Sequence, residues 1–164
     1  QLLFFEDSSA AETIETMTHE SFHEYIEGLV SGPPPWLNEG MAEYAACAKV
    51  EAGQVTGVGV LTGRLPLLQG VLKRGDPALT FPQIMRESPQ QFYGIAPQFQ
   101  YAQAWSMIHF FRHYEDGKYK PVLDRYLALL VEGRSGDEAY EETFAKEELK
   151  RMQEEWKGYV MGLR

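Results

Sequence analysis

The sequence predicts a mainly α fold, α+β at most. Three observations carry that expectation. Apolar residues recur at helical spacing along most of the chain. Helix-start signals stand ahead of several of these stretches, either as capping boxes or as prolines suited to a first turn. Strand-like segments are short and few.

Taken in order, Leu2 to Phe5 is a short apolar run that reads as one strand. Ser9-Ala10-Ala11-Glu12 is a capping box that opens a helix. Ile14, Thr18, Phe22, Tyr25 and Leu29 follow at helical spacing as one stripe. Gly32 and Pro33-Pro34-Pro35 stop that helix. A second helix is expected from about Trp36 to about Lys49, ending before Gly53. Gln54 to Leu61 places Val55, Val58 and Val60 among glycines, which fits a short strand or an irregular loop. Helical pieces follow near Pro66 to Lys73 and near Pro82 to Glu87. Pro97 opens a long helix to about Tyr114, and Pro121 to Glu132 is another. Ser135-Gly136-Asp137-Glu138 is a second capping box, and the last helices carry Tyr140, Phe144, Leu149, Met152, Trp156 and Val160. The expected total is about seven helices with at most two or three strands.

The chain has 164 residues, which suits one domain with one core (1–164), and no repeat or linker interrupts it. The formal net charge of -9 argues against a nucleic-acid or anionic-membrane partner, because both carry negative charge. Cys47 is the single cysteine, so no disulfide forms within the chain and the redox compartment stays open. No apolar run approaches the roughly 18 residues of a membrane span. The chain starts at Gln1 without an initiator Met or a signal-peptide pattern, so it is expected to be part of a longer protein. A signal in that precursor would favour an extracytoplasmic location; the sequence itself leaves location and oligomeric state open.

His19-Glu20-Ser21-Phe22-His23 is an HExxH stretch. On a helix it sets two imidazoles one turn apart on one face, with a carboxylate beside the first. A catalytic zinc needs three protein ligands and one open position. Glu39, in Trp36-Leu37-Asn38-Glu39-Gly40, can be the third, with 15 residues between it and His23. That interval is enough to finish one helix, turn at the prolines and return.

These two segments together, continuing through Met41-Ala42-Glu43-Tyr44, resemble the gluzincin metallopeptidases of the peptidase MA-like clan. The Trp-Leu-Asn-Glu-Gly segment looks like the one that carries the glutamate ligand in zinc aminopeptidases. The Pro-rich lead-in is similar to that of a bacterial peptidase-like domain group of undefined substrate. The similarity runs on through Gln100-Tyr101-Ala102-Gln103-Ala104-Trp105 to Trp156-Lys157-Gly158-Tyr159.

The resemblance implies a zincin-like helical domain that hydrolyses peptide bonds in a peptide or protein substrate. His19, His23 and Glu39 would bind one Zn²⁺ per chain, and Glu20 would be the general base. Tyr101 aligns with the tyrosine whose hydroxyl stabilises the oxyanion, a role that a phenol beside a cleft suits. Metal-bound histidines usually pass their other ring N–H to an acceptor. Glu43, four residues after Glu39, is the candidate for that contact, ahead of Asn38.

Some family features are absent. The interval from His23 to Glu39 is slightly shorter than in thermolysin-like and aminopeptidase relatives. Ile26 and Leu29 stand where a three-histidine metzincin has Gly and His. Only 18 residues precede His19, where gluzincins usually carry a sheet whose edge binds peptide. The Gly-Ala-Met-Glu-Asn segment that recognises a substrate amino terminus is missing.

Other readings stand beside this one. The site could bind zinc without turnover, as a zinc-stabilised helical binding module, or the chain could be a helical interaction domain with no metal. Tyr101 also reads as a core tyrosine and Glu43 as a solvated or ion-paired helix charge. His109 and His113 repeat the i, i+4 spacing without an adjacent carboxylate, and read as packing and surface residues. Cys47 reads as a small apolar residue rather than a nucleophile.

Overall fold

The computed structural model describes residues 10–75, 80–94 and 96–164. Helix, with the 3-10 turns included, accounts for 71% of the described residues, and the only sheet among them has two strands, so the class is mainly α. The elements run α1 (Ala10–Leu29), α2 (Pro35–Ala46), β1 (Ala48–Glu51), β2 (Gln54–Val58), α3 (Leu65–Arg74), α4 (Phe81–Met85) and α5 (Pro89–Phe92). They continue as α6 (Pro97–His113), α7 (Lys120–Val131), α8 (Gly136–Glu142) and α9 (Leu149–Gly162). Short 3-10 turns lie at Tyr114–Asp116 and Phe144–Lys146. None of the described helices is long and apolar enough to cross a membrane.

The starts of these helices follow from sequence. Six of them, α2 to α7, carry proline in the first turn, where its missing N–H costs nothing. Thr80, Ser88 and Ser135 each close a capping box with the Gln or Glu three residues on. The box at Ser135 is one that the sequence predicts. The strand expected at Leu2 to Phe5 and the box at Ser9 lie outside the described residues.

Helix α2 is the centre of the molecule, packed between α1 and α6. Trp36 is fully buried, with its ring against Phe111, Tyr126 and Phe144. Gly40 lets the two helices approach. A Cβ there would stand 2.8 Å from the Ala104 carbonyl oxygen and 2.9 Å from Ile108 Cγ1. From this contact one continuous core extends through Phe81, Phe110, Phe144 and Trp156 to α9.

Three expectations need correction. The second helix stops at Ala46 rather than near Lys49, because Ala48–Glu51 pairs antiparallel with Gln54–Val58 as a hairpin. Strand pairing is a tertiary gain that overrides the helical preference of an Ala-rich run. The helices among the described residues number nine, against about seven expected. The four-residue α5, opened by Ser88 and Pro89, is the piece not foreseen. In α1, the stripe through Ile14, Tyr25 and Leu29 is exposed, and the side turned inward carries Ile26, followed just past the helix end by Val30. These fall seven and eleven residues after His19, so the packed face of α1 runs through both histidines.

Candidate metal centre

Helix α1 presents His19 and His23 one turn apart, both half-buried, against the first turn of α2. In that turn Trp36 to Gly40 are all buried, and each has a separate reason. Trp36 and Leu37 fill the core, and Gly40 admits α6. Asn38 and Glu39 are polar, so burial requires partners for them. The α1 histidines supply those partners.

Asn38 Oδ1 lies 2.9 Å from His23 Nδ1. An amide oxygen only accepts, so Nδ1 carries the hydrogen and the neutral ring keeps a bare lone pair on Nε2. That Nε2 is 3.0 Å from His19 Nε2. Glu39 Oε2 completes a triangle, 3.4 Å from His19 Nε2 and 3.6 Å from His23 Nε2. All three candidate ligand atoms lie within 4.8 Å of one another.

The donor set can be tested against zinc. Bonds of about 2.0–2.1 Å at a tetrahedral angle set neighbouring ligand atoms about 3.3–3.4 Å apart. Separations of 3.0, 3.4 and 3.6 Å bracket that edge. Two imidazoles and one carboxylate are also a ligand chemistry that zinc accepts. The residues fit the ion.

Charge couples His19 to Glu39. Burial pulls the His19 pKa down, but the Glu39 hydrogen bond and the charges of Glu43, Glu39 and Glu20 outweigh it, leaving it above the ordinary histidine value. Burial pushes Glu39 up, and contacts from His19 and Tyr93 with charge on His23 and His19 more than reverse it, so Glu39 is held below the usual carboxylate range. The two shifts have one main source, the contact between the His19 ring and the Glu39 carboxylate, which favours the charged form of each.

Beside the triangle lies a half-open cleft of ≈ 840 Å³, whose walls include His19, Glu20, Glu43, Arg64 and Tyr101. Glu20 is exposed on this wall. Tyr101 carries the Arg64 guanidinium over its ring at 4.9 Å. Burial first, then the charge of Glu39, raises the Tyr101 pKa, so its phenol is a donor at neutral pH. Cys47 also lines the cleft. Burial, then Glu43 and Glu15, pushes its thiol up to about 12, so it is no nucleophile at neutral pH.

The ranking of Glu43 above Asn38 does not hold. Asn38 is the residue in contact with a ring nitrogen, while the buried Glu43 carboxylate is taken by Arg64 at 2.6 Å. The sequence reading also missed Tyr93, whose hydroxyl donates to Glu39 Oε1 at 2.9 Å. The Ser88-x-x-Gln91 capping box was the available signal, because it fixes the turn that ends at Tyr93. The second histidine pair takes no part in the site. His109 is buried, with Nδ1 2.6 Å from the Tyr159 hydroxyl, and His113 bonds Tyr44 at 2.9 Å.

A family model, described as protein of unknown function (DUF1570), matches residues 13–125. The chain belongs to the DUF1570 family. The match covers more than half of the chain and contains every DUF1570 residue discussed at the centre, from His19 to Tyr101. Helices α8 and α9 lie beyond it. No curated protein and no solved structure matches this DUF1570 chain.

Proposed function

We propose that this protein is a zinc-dependent peptidase of the gluzincin type, hydrolysing peptide bonds. The observation that supports it best is the triangle of His19 Nε2, His23 Nε2 and Glu39 Oε2 at zinc-ligand spacing, with Glu20 on the wall of the adjoining cleft. His19, His23 and Glu39 would hold the ion. When bound, zinc supplies Lewis acidity, lowering the pKa of a nearby water to about 7 and polarising the scissile carbonyl.

The protein residues do the remainder. Glu20 is the general base: its carboxylate takes a proton from the attacking water and hands it to the departing amine nitrogen as the C–N bond breaks. Asn38 keeps the His23 hydrogen on Nδ1, so Nε2 remains a ligand. Tyr101 offers its hydroxyl to the negative charge that develops on the carbonyl oxygen.

The test is metal analysis with a peptide-library assay. Wild-type protein is expected to hold about one zinc per chain, and Glu20→Gln to keep the metal and lose hydrolysis. No zinc uptake at neutral pH would remove the site. Hydrolysis retained in Glu20→Gln would remove the mechanism. Zinc uptake without hydrolysis of any peptide by wild-type protein would leave a zinc-stabilised binding module.

A further inference from the structure

Glu39 uses its two carboxylate oxygens differently. Oε2 faces the two imidazoles at 3.4 and 3.6 Å, while Oε1 accepts the Tyr93 hydroxyl at 2.9 Å. A carboxylate can grip a cation through one oxygen or through both, and a hydrogen bond on one oxygen biases that choice. We propose that Tyr93 is a positioning residue that holds Oε1, so that Glu39 meets a zinc ion through Oε2 alone. The inference rests on the zinc reading above.

Local structure supports a fixed Tyr93. Ser88 and Gln91 close a capping box on α5, and Pro89 occupies its first turn. Phe92 is fully buried and anchors that short helix in the core. Tyr93 follows at once, with its backbone N–H bonded to the Pro89 carbonyl at 2.9 Å. Its ring meets Phe92 and Tyr101 edge-on, at centroid distances of 5.3 and 6.3 Å. The hydroxyl therefore reaches Glu39 from a backbone that α5 holds in place. A phenol donating to a carboxylate is a charge-assisted bond, about twice as strong as a neutral one.

The two tyrosines thus divide the work. Tyr101 stands on the cleft wall under Arg64, and Tyr93 holds the ligand from behind. Without the Tyr93 hydroxyl, Oε1 is free to swing toward the ion. A zinc ion held by the three residues would then meet both oxygens of Glu39, at the expense of the position reserved for water.

Tyr93→Phe and Tyr101→Phe test this through three readouts: zinc affinity by competition with a chromophoric chelator, the visible spectrum of the cobalt(II)-substituted protein, and melting of the metal-free protein. Tyr93→Phe is expected to bind zinc about 10–100-fold more weakly and to show weaker cobalt bands, as a five-coordinate site does. Its metal-free melting should fall modestly, because the buried Glu39 carboxylate loses a hydrogen-bond donor. Tyr101→Phe should keep the wild-type affinity and spectrum. Wild-type zinc affinity and cobalt spectrum in Tyr93→Phe would overturn the inference and leave the zinc reading intact. Lower metal-free melting with an unchanged cobalt spectrum would mark a merely structural role and overturn it as well. Failure of wild-type protein to take up zinc would remove both.

Discussion

Asn38 Oδ1 accepts the Nδ1 hydrogen of His23 at 2.9 Å, and this one bond decides which nitrogen of His23 faces Glu39. Both partners are at least half-buried, so water competes poorly for either. Replacing Asn38 by alanine frees the ring to rotate or to change tautomer. Zinc affinity is expected to fall by about 10–100-fold, as for other contacts one bond away from a metal. Asn38→Asp keeps an acceptor in the same place and should retain most of the affinity. A chelator competition series separates the two variants. Wild-type affinity in Asn38→Ala would show that packing alone orients His23.

Gly40 carries the closest helix contact in the molecule's centre. Alanine there would place its Cβ 2.8 Å from the Ala104 carbonyl oxygen and 2.9 Å from Ala104 C and Ile108 Cγ1. Two of these atoms belong to backbone, which cannot turn aside as a side chain can. Alanine gains up to about 1 kcal/mol in helix propensity over glycine. Overpacking costs about 1–3 kcal/mol, and a contact against backbone falls toward the upper part of that range. Gly40→Ala should therefore lower the urea midpoint with little change in slope. A midpoint at or above wild type would mean that α2 and α6 separate without cost.

The legible part of the molecule is what local spacing dictates. His19 and His23 share a face because a helix turns every 3.6 residues, and the proline run after Gly32 obliges the chain to reverse and bring Glu39 back. The prolines ahead of α2 to α7 marked most helix starts for the same local reason. What stayed hidden depends on residues far apart in sequence. Glu43 has the right spacing to follow Glu39, yet Arg64 claims it from a loop that no pattern locates. Tyr93 reaches Glu39 across 54 positions, from the end of a four-residue helix too short to show periodicity. The exposed stripe of α1 misled for a related reason. Apolar spacing identifies a face but not what that face meets, and the packed face of α1 was the one with the histidines.

His109 links stability to pH away from the metal centre. It is buried on α6, its Nδ1 is 2.6 Å from the Tyr159 hydroxyl, and its ring lies among Trp105, Tyr44 and His113. Burial, then the charge of His113, pushes its pKa down to about 4. The unfolded chain titrates this group near 6.5. Between those values the unfolded state binds more protons, so stability is fully present above about pH 6.5 and is lost as pH falls toward 4. Going from pH 7 to pH 5 should cost on the order of 2 kcal/mol from this group alone. Carboxylates also titrate in acid, so the informative quantity is the difference between wild type and His109→Phe in urea denaturation at the two pH values. The variant is expected to lose less on acidification, with the gap closing once both proteins are compared above pH 7. Equal losses would assign the acid sensitivity to the carboxylates and leave His109 without a part in it.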